Sequence, residues 1–374
     1  MQCPVCTQNA FLPTHIGNHG LSESDFRAQY PDHPLVSAEE ALNFYGAIPV
    51  PYTRPAKVDG LRVRVGLYDL PFHADVPKDA CLPSPPNYRV PQHGALAAAI
   101  QDAILAFRSG KSMFIHGPPG SGKDGLVHYL SAVTRRPGMI FQIQPGAQIR
   151  NWFFVQQFNT EGVYYQEGSL LKALRDGYTT PSGKVIPYLI LLTDFDRADR
   201  SQAEYLRLVM DSIEGRVMGP TGQVYHVLPG TTVVATANSA GAGDESGRLV
   251  STNPIDSSIL DRFQRMFLFP WLEWEDEREI ALEKYPWVKG HEGLLTTLGQ
   301  VTYKVRESIN NGSLPAEYTH RGLCNTLEAW RDMLDVGYLP QEGLLRALTC
   351  TLVHRMPNSI ARQDVERIFA PYFK

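Results

Sequence analysis

Over the first two thirds of the chain, apolar residues come in short uninterrupted runs; over the last third they recur at helical spacing. Short apolar runs bounded by turn residues predict buried strands. Such runs are Met113-Phe114-Ile115, Met139-Ile140-Phe141-Gln142-Ile143, Tyr188-Leu189-Ile190-Leu191-Leu192 and Thr231-Thr232-Val233-Val234-Ala235-Thr236-Ala237. Helical patterns run from Ala95 to Phe107, over the first turns from Gly125 to Leu130, and from Gln202 to Ile213. Gly215-Arg216-Val217 and Gln223 to Val227 flank Gly219-Pro220-Thr221-Gly222, a hairpin. The aromatic segment Trp152-Phe153-Phe154 to Val163-Tyr164-Tyr165 suits either a pore loop of a ring assembly or plain hairpin packing. From Trp271 onward the pattern is helical, with segments at 274–285, 293–310, 320–335 and 342–372. Near the N-terminus, Gly20 to Phe26 predicts a helix start with Ser22 or Ser24 as cap. Between the two regions, residues 46–95 are proline-rich and predict a linker that wraps the surface.

The stretch joining the Met113 run to the Gly125 helix is His116-Gly117-Pro118-Pro119-Gly120-Ser121-Gly122-Lys123-Asp124. Strand, glycine-rich loop and helix is the setting of a phosphate-binding loop. Glycines let backbone N–H groups turn inward around a phosphate, and the helix N-terminus adds a partial positive charge. Gly117, Pro118, Pro119, Gly120, Ser121, Gly122, Lys123, Asp124 and Gly125 are therefore the candidate nucleotide contacts, with Lys123 reaching the β- and γ-phosphates. The pattern calls for Ser or Thr after the lysine, to ligate magnesium, and the chain has Asp124 there.

A second departure stands at the end of the Tyr188 run. A magnesium-binding Asp followed by a water-polarising Glu is the usual ending; here the polar residues are Thr193 and Asp194. Together Asp124 and Thr193 keep one carboxylate and one hydroxyl for the ion, as if the two ligands had exchanged places. Asp194 then takes the position of the catalytic acid. The rival register makes Asp194 the magnesium residue and Asp196 the base; simple decay of the site is the third possibility. Asn238, at the end of the Thr231 run, is placed to orient water or to form a turn. Arg262 is a candidate arginine finger for a neighbouring subunit, or a surface ion-pair partner. Arg321 opens a helix and is a candidate nucleotide contact.

The first residues contain Cys3, Cys6, His15 and His19 at a spacing that suits tetrahedral zinc. A segment this short buries no core, so the metal would supply the folding energy. From residue 1 to 45 the only Lys or Arg is Arg27, against Glu23, Asp25, Asp32, Glu39 and Glu40. That charge disfavours phosphate backbones and favours docking to a protein.

Composition changes the picture little. The chain has 374 residues, 43% apolar and 20% charged, which suits two or three folded domains. Its net charge of −4 implies no global attraction to nucleic acid. No apolar stretch is long enough for a membrane span. Met1-Gln2-Cys3-Pro4 begins no signal peptide, so the expected location is the cytoplasm. Cys81, Cys324 and Cys350 are scattered and predict reduced, mostly buried thiols.

The motifs in this order resemble an AAA+ ATPase of the MoxR clade, and most closely the CobS-type small ATPase subunit of aerobic cobaltochelatase. The run Thr236-Ala237-Asn238-Ser239-Ala240-Gly241-Ala242-Gly243-Asp244-Glu245-Ser246-Gly247 is similar to that family's "TANTxGxGDxTG", and Asp261-Arg262-Phe263 to its "DRW/F". Asn310-Asn311-Gly312 and Thr319-His320-Arg321 resemble its "ING" and "SPR" segments. The resemblance covers roughly residues 85–374. It implies an α/β phosphate-loop core with a parallel sheet, a C-terminal helical lid, a homo-hexameric ring, ATP and magnesium. It further implies Asn238 as sensor 1, Arg262 as finger and Arg321 as sensor 2. The expected organisation is a zinc finger at 1–45, a linker at 46–95, the AAA+ domain at 96–270 and the lid at 271–374. The expected activity is ATP hydrolysis that remodels or activates a protein client, possibly with a von Willebrand A-like partner, the finger recruiting a partner. The alternatives are a cobaltochelatase subunit, or a low-turnover nucleotide-binding ring acting as scaffold or DNA-associated factor.

Overall fold

A computed structural model describes residues 22–31, 58–59, 62–85, 88–160, 162–207, 209–210, 215–241, 243 and 252–373. Cys3, Cys6, His15, His19 and the Asp244 to Gly247 part of the family-like run lie outside the described residues. Helix α1 spans Glu23–Gln29, and its N-cap is Ser22, whose Oγ accepts from the Asp25 amide at 3.1 Å.

The proline-rich segment is more than a connector. It carries strands β1 (Val58–Asp59), β2 (Arg62–Val65) and β3 (Tyr68–Pro71), paired antiparallel with Val63 opposite Leu70. Val63, Val65, Leu70 and Leu82 join the core beneath helix α2 (Gly94–Arg108). Prolines hid this, because alternating Arg62-Val63-Arg64-Val65 is a short strand signal inside a turn-rich stretch.

The central sheet uses β4 (Met113–His116), β5 (Gly138–Gln142), β8 (Leu189–Thr193), β11 (Thr232–Ala237) and β12 (Arg265–Leu268). Hairpin strands β6 (Phe154–Asn159) and β7 (Gly162–Glu167), and β9 (Arg216–Met218) and β10 (Val224–His226), lie between them in sequence. The sheet order is β12-β4-β11-β8-β5, and all its pairings are parallel. The central strands of a parallel sheet are covered on both faces and so are apolar throughout; the edge strands β5 and β12 are partly exposed. Every residue of β8 and of β11 is buried. Alternation decides which face each side chain serves. Phe114, Ile190, Leu192 and Ala235 enter one core; Met113, Ile115, Leu191 and Val234 enter the other. The first core is closed by helix α4 (Ser169–Asp176), helix α5 (Arg200–Arg207) and the base of the β6–β7 hairpin. The second is closed by α2 and by α3 (Lys123–Thr134).

The last third is helical: α6 (Trp274–Lys284), α7 (Glu292–Asn310), α8 (His320–Asp335), α9 (Pro340–Thr351) and α10 (Ser359–Phe369). Its separate core centres on fully buried Trp330. The expected 342–372 helix is two helices, broken by a turn at Val353–Arg355 and by Pro357, which keeps Met356 extended. Cys350 is exposed rather than buried, while Cys81 and Cys324 are half-buried. Among the described residues, no helix is long and apolar enough to cross a membrane.

A candidate phosphate-binding cleft

The loop between β4 and α3 occupies the carboxyl end of the sheet, where neighbouring strands leave in opposite directions and α/β folds bind ligands. Its glycines have specific work. Gly117 has φ +150, and a Cβ there would lie 2.0 Å from the Phe269 carbonyl oxygen, so only glycine lets the loop pass β12. Gly122, at φ +84, turns left-handed to start α3. Ser121 is buried, and its Oγ has no hydrogen-bond partner among the described residues.

Lys123 is buried at the bottom of the loop. Its Nζ donates to Gly117 O at 2.8 Å, Pro118 O at 3.0 Å and Asn238 Oδ1 at 3.1 Å. Burial pushes its ammonium down; the charges of Asp124, Asp196, Asp194 and Glu317 pull the other way without cancelling that. β4 and β11 are adjacent, with Ile115 level with Thr236, so the loop lysine and the strand-end Asn238 meet.

The same adjacency gives Asp124 a partner. Its Oδ1 accepts a hydrogen bond from Thr236 Oγ1 at 2.6 Å. Thr193, the expected companion of Asp124, is the buried last residue of β8, level with Gln142, and does not line the cleft. Thr236 does line it. A carboxylate and a hydroxyl are thus joined beside the loop, but the hydroxyl comes from the strand next to β4. Thr232 and Thr236 have the look of ordinary strand residues, so nothing in the pattern of β11 marks one of them out.

Asp194 follows β8 in a left-handed conformation, φ +55, with its carboxylate 3.7 Å from Arg197 Nε; both residues line the cleft. Asp196 has another task. It is fully buried, and its Oδ2 accepts from the Asn238 and Ser239 amides, each at 2.9 Å. That ties the ends of β8 and β11 together through one carboxylate oxygen, while the other, Oδ1, is buried with no hydrogen-bond partner among the described residues.

The lid closes the cleft. Thr319 caps α8, accepting from the Gly322 amide at 3.3 Å, and a Cβ on Gly120 would lie 2.9 Å from the Thr319 Cβ. Arg321, one residue into α8, lines the cleft with the phosphate loop. Behind it, buried Glu277 binds Arg306 through two hydrogen bonds of 2.7 and 2.9 Å, and His320 Nδ1 at 3.0 Å. Burial would raise the Glu277 carboxyl, but His320 and Arg306 hold it below its ordinary value. Glu277 sits in Glu273-Trp274-Glu275-Asp276-Glu277-Arg278-Glu279, a charged run that looks like a solvated helix face. Asp276 is buried too and accepts from the Gln92 and His93 amides, joining the lid to the segment before α2. On the opposite wall, Tyr88 stacks on Tyr129 with ring centroids 4.8 Å apart, beside Gly125. The cleft, open on one side, has a volume of about 1120 Å³.

Arg262, like Thr193, is not brought to this cleft. It precedes β12, whereas Phe269, which follows β12, backs Gly117; the four-residue strand between them alone spans roughly 13 Å.

Residues 112–263 match the AAA domain (dynein-related subfamily). The matched stretch runs from β4 to Phe263 and contains the whole loop, Asp194, Asn238 and Arg262. Among curated proteins, the chain is similar to an uncharacterized protein of Staphylococcus epidermidis, 25% identical over 170 residues, covering 44% of this chain and 57% of that protein. An uncharacterized protein of Staphylococcus haemolyticus is 24% identical over 171 residues, 44% of this chain and 58% of its own length. The chain therefore spans just over half the length of these curated relatives. Among solved structures, it is similar to a mutant of RuvB from Thermotoga maritima, with 13% identity, a TM-score of 0.42, and coverage of 68% of this chain and 69% of that one. Among the described residues, no group of three or more His, Cys, Asp or Glu side chains is arranged to hold a metal ion.

Proposed function

We propose that the chain binds and hydrolyses ATP with magnesium as an AAA+ ring ATPase, and uses the cycle to remodel or activate a protein client. The observation that carries this reading is the convergence on one cleft of the buried Lys123, the Asp124–Thr236 pair, Asn238 and the lid residue Arg321. These residue types fit a nucleoside triphosphate. Loop amides and Lys123 complement phosphate oxygens. Magnesium, when bound, neutralises charge on the transferred phosphoryl group. Asp124 would hold the ion, with Thr236 fixing the carboxylate's orientation. Asp194 would orient the attacking water, with Asn238 placed beside it. Arg321 would sense the phosphates from the lid. Arg262, set apart from its own chain's loop, would serve the site of a neighbour in a homo-hexamer.

The N-terminal Cys3, Cys6, His15 and His19 are proposed to bind one zinc and to recruit a protein partner. The Asp124 substitution and the short side chain of Asp194 also suit slow turnover, the scaffold alternative. A steady-state ATPase assay with and without magnesium, with Lys123→Ala as control, separates the two. Magnesium-dependent turnover abolished by Lys123→Ala supports the motor. Nucleotide binding with no turnover above the control overturns it.

A further inference from the structure

One cluster in the cleft has no task in nucleotide chemistry. Cys324 lies one helical turn after His320 on the same face of α8, and both line the cleft. Cys324 Sγ is 3.6 Å from His320 Nε2, and His320 Nδ1 is 3.0 Å from buried Glu277. The protons can be assigned. Glu277 is held ionised by the bidentate contact with Arg306, so it only accepts. His320 Nδ1 must then carry a hydrogen, which leaves Nε2 facing sulfur. Glu277 and Arg306 already balance each other's charge. The imidazole is therefore free to take the thiol's proton, giving a thiolate–imidazolium pair fixed from behind by a carboxylate.

We propose that Cys324 is a covalent modification site on the wall of the cleft: a thiolate paired with His320 that reacts with a small disulfide such as oxidised glutathione and, once modified, obstructs the nucleotide. The obstruction rests on the nucleotide reading above; the reactive thiolate does not. In the reaction the Cys324 sulfur attacks one sulfur of the disulfide. A new S–S bond forms to Cys324, the disulfide's own bond breaks, and the second glutathione leaves as a thiolate that solvent protonates. Cys324 is oxidised and one glutathione sulfur is reduced, so no further oxidant is needed.

The surroundings favour this chemistry. Burial would raise the Cys324 thiol, but His320 above all, and the nearby Lys284, hold it below its ordinary value. Burial would lower His320, but Cys324 and Glu277 raise it to about 9. Tyr285, from the end of α6, directs its hydroxyl to Glu328 Oε1 at 2.5 Å, and Lys284 lies 3.7 Å from the same carboxylate. The other described thiols differ. Cys81 is pushed up by burial and bonds Pro77 O. Cys350 bonds the Ala347 carbonyl of its own helix.

The test is alkylation of the full chain with iodoacetamide from pH 5 to pH 9, each cysteine followed by peptide mass spectrometry. Cys324 is expected to react at least about tenfold faster than Cys81 at pH 6.5, because only thiolates alkylate. His320→Gln should lower the Cys324 rate at that pH by about tenfold or more and move its midpoint upward. A wild-type Cys324 midpoint at or above that of Cys81 overturns the thiolate without any variant. With oxidised glutathione, wild-type protein should gain one glutathione at Cys324 and lose nucleotide binding, while Cys324→Ser keeps it. ATP with magnesium should shield Cys324 in wild type but not in Lys123→Ala. A low midpoint with no shielding, and binding unchanged by the glutathione adduct, overturns the obstruction.

Discussion

The Thr236 hydroxyl donates to the Asp124 carboxylate at 2.6 Å, across a gap of 112 residues in sequence. The contact joins the start of α3 to β11, so a loop residue and a strand residue share one position in the cleft.

If Asp124 holds magnesium, loosening its orientation weakens the ion. Thr236→Val should raise the magnesium concentration for half-maximal turnover by about 10- to 100-fold, the usual cost of removing a group that orients a metal ligand. Thr193→Val, one strand further from the loop, should leave that concentration within about twofold, since Thr193 has no part in orienting Asp124. A magnesium titration of ATPase rate decides between them; a reversed order returns the ligand role to Thr193.

Ring assembly makes a different demand. Lys123→Ala and Arg262→Ala should each be inactive alone, the first by losing its own site and the second by leaving its neighbour's incomplete. Mixing the two should recover part of the activity, because some interfaces pair an intact Lys123 with an intact Arg262. No recovery at any mixing ratio removes Arg262 from the neighbour's site.

The lid should fail in acid through Glu277. Its folded-state carboxyl titrates below the ordinary value, so the contribution to stability is full above about pH 4.5 and is lost as pH falls through the folded value. Removing one partner of a buried ion pair costs about 3–5 kcal/mol, so Arg306→Leu should lower the unfolding temperature strongly at pH 7. Glu277→Gln should do the same and also flatten the acid limb, measured by thermal unfolding from pH 3 to pH 7.

Metal content tests the N-terminus. Purified protein should hold one zinc per chain, and Cys3→Ser with Cys6→Ser should remove it while ATP hydrolysis persists. Zinc unchanged in the double variant excludes these ligands.

The central strands were legible because buried parallel strands are uniformly apolar: Leu189 to Leu192 and Thr232 to Ala237 need no partner to be recognised. Edge strand β12 was not, since Arg265, Met266 and Leu268 are exposed and it lacks the two-sided burial that marks the others. Lys123 was legible through its glycines. The Asp124–Thr236 pair was not, since threonine in a strand is ordinary and only the order of β4 and β11 brings the two together. Glu277 was hidden for the opposite reason. Six charged neighbours surround Trp274 in that run, and burial of Asp276 and Glu277 depends on Arg306, His320 and the Gln92–His93 backbone, all remote in sequence.

The Asp276 contact has a mechanical consequence. Its carboxylate grips two amides of the strap at Gln92 and His93, four residues after the Tyr88 ring that overlies Gly125. Any displacement of Asp276 must therefore carry Gln92 and His93 with it or break both bonds. The two walls of the cleft are thus tethered to each other through one buried carboxylate.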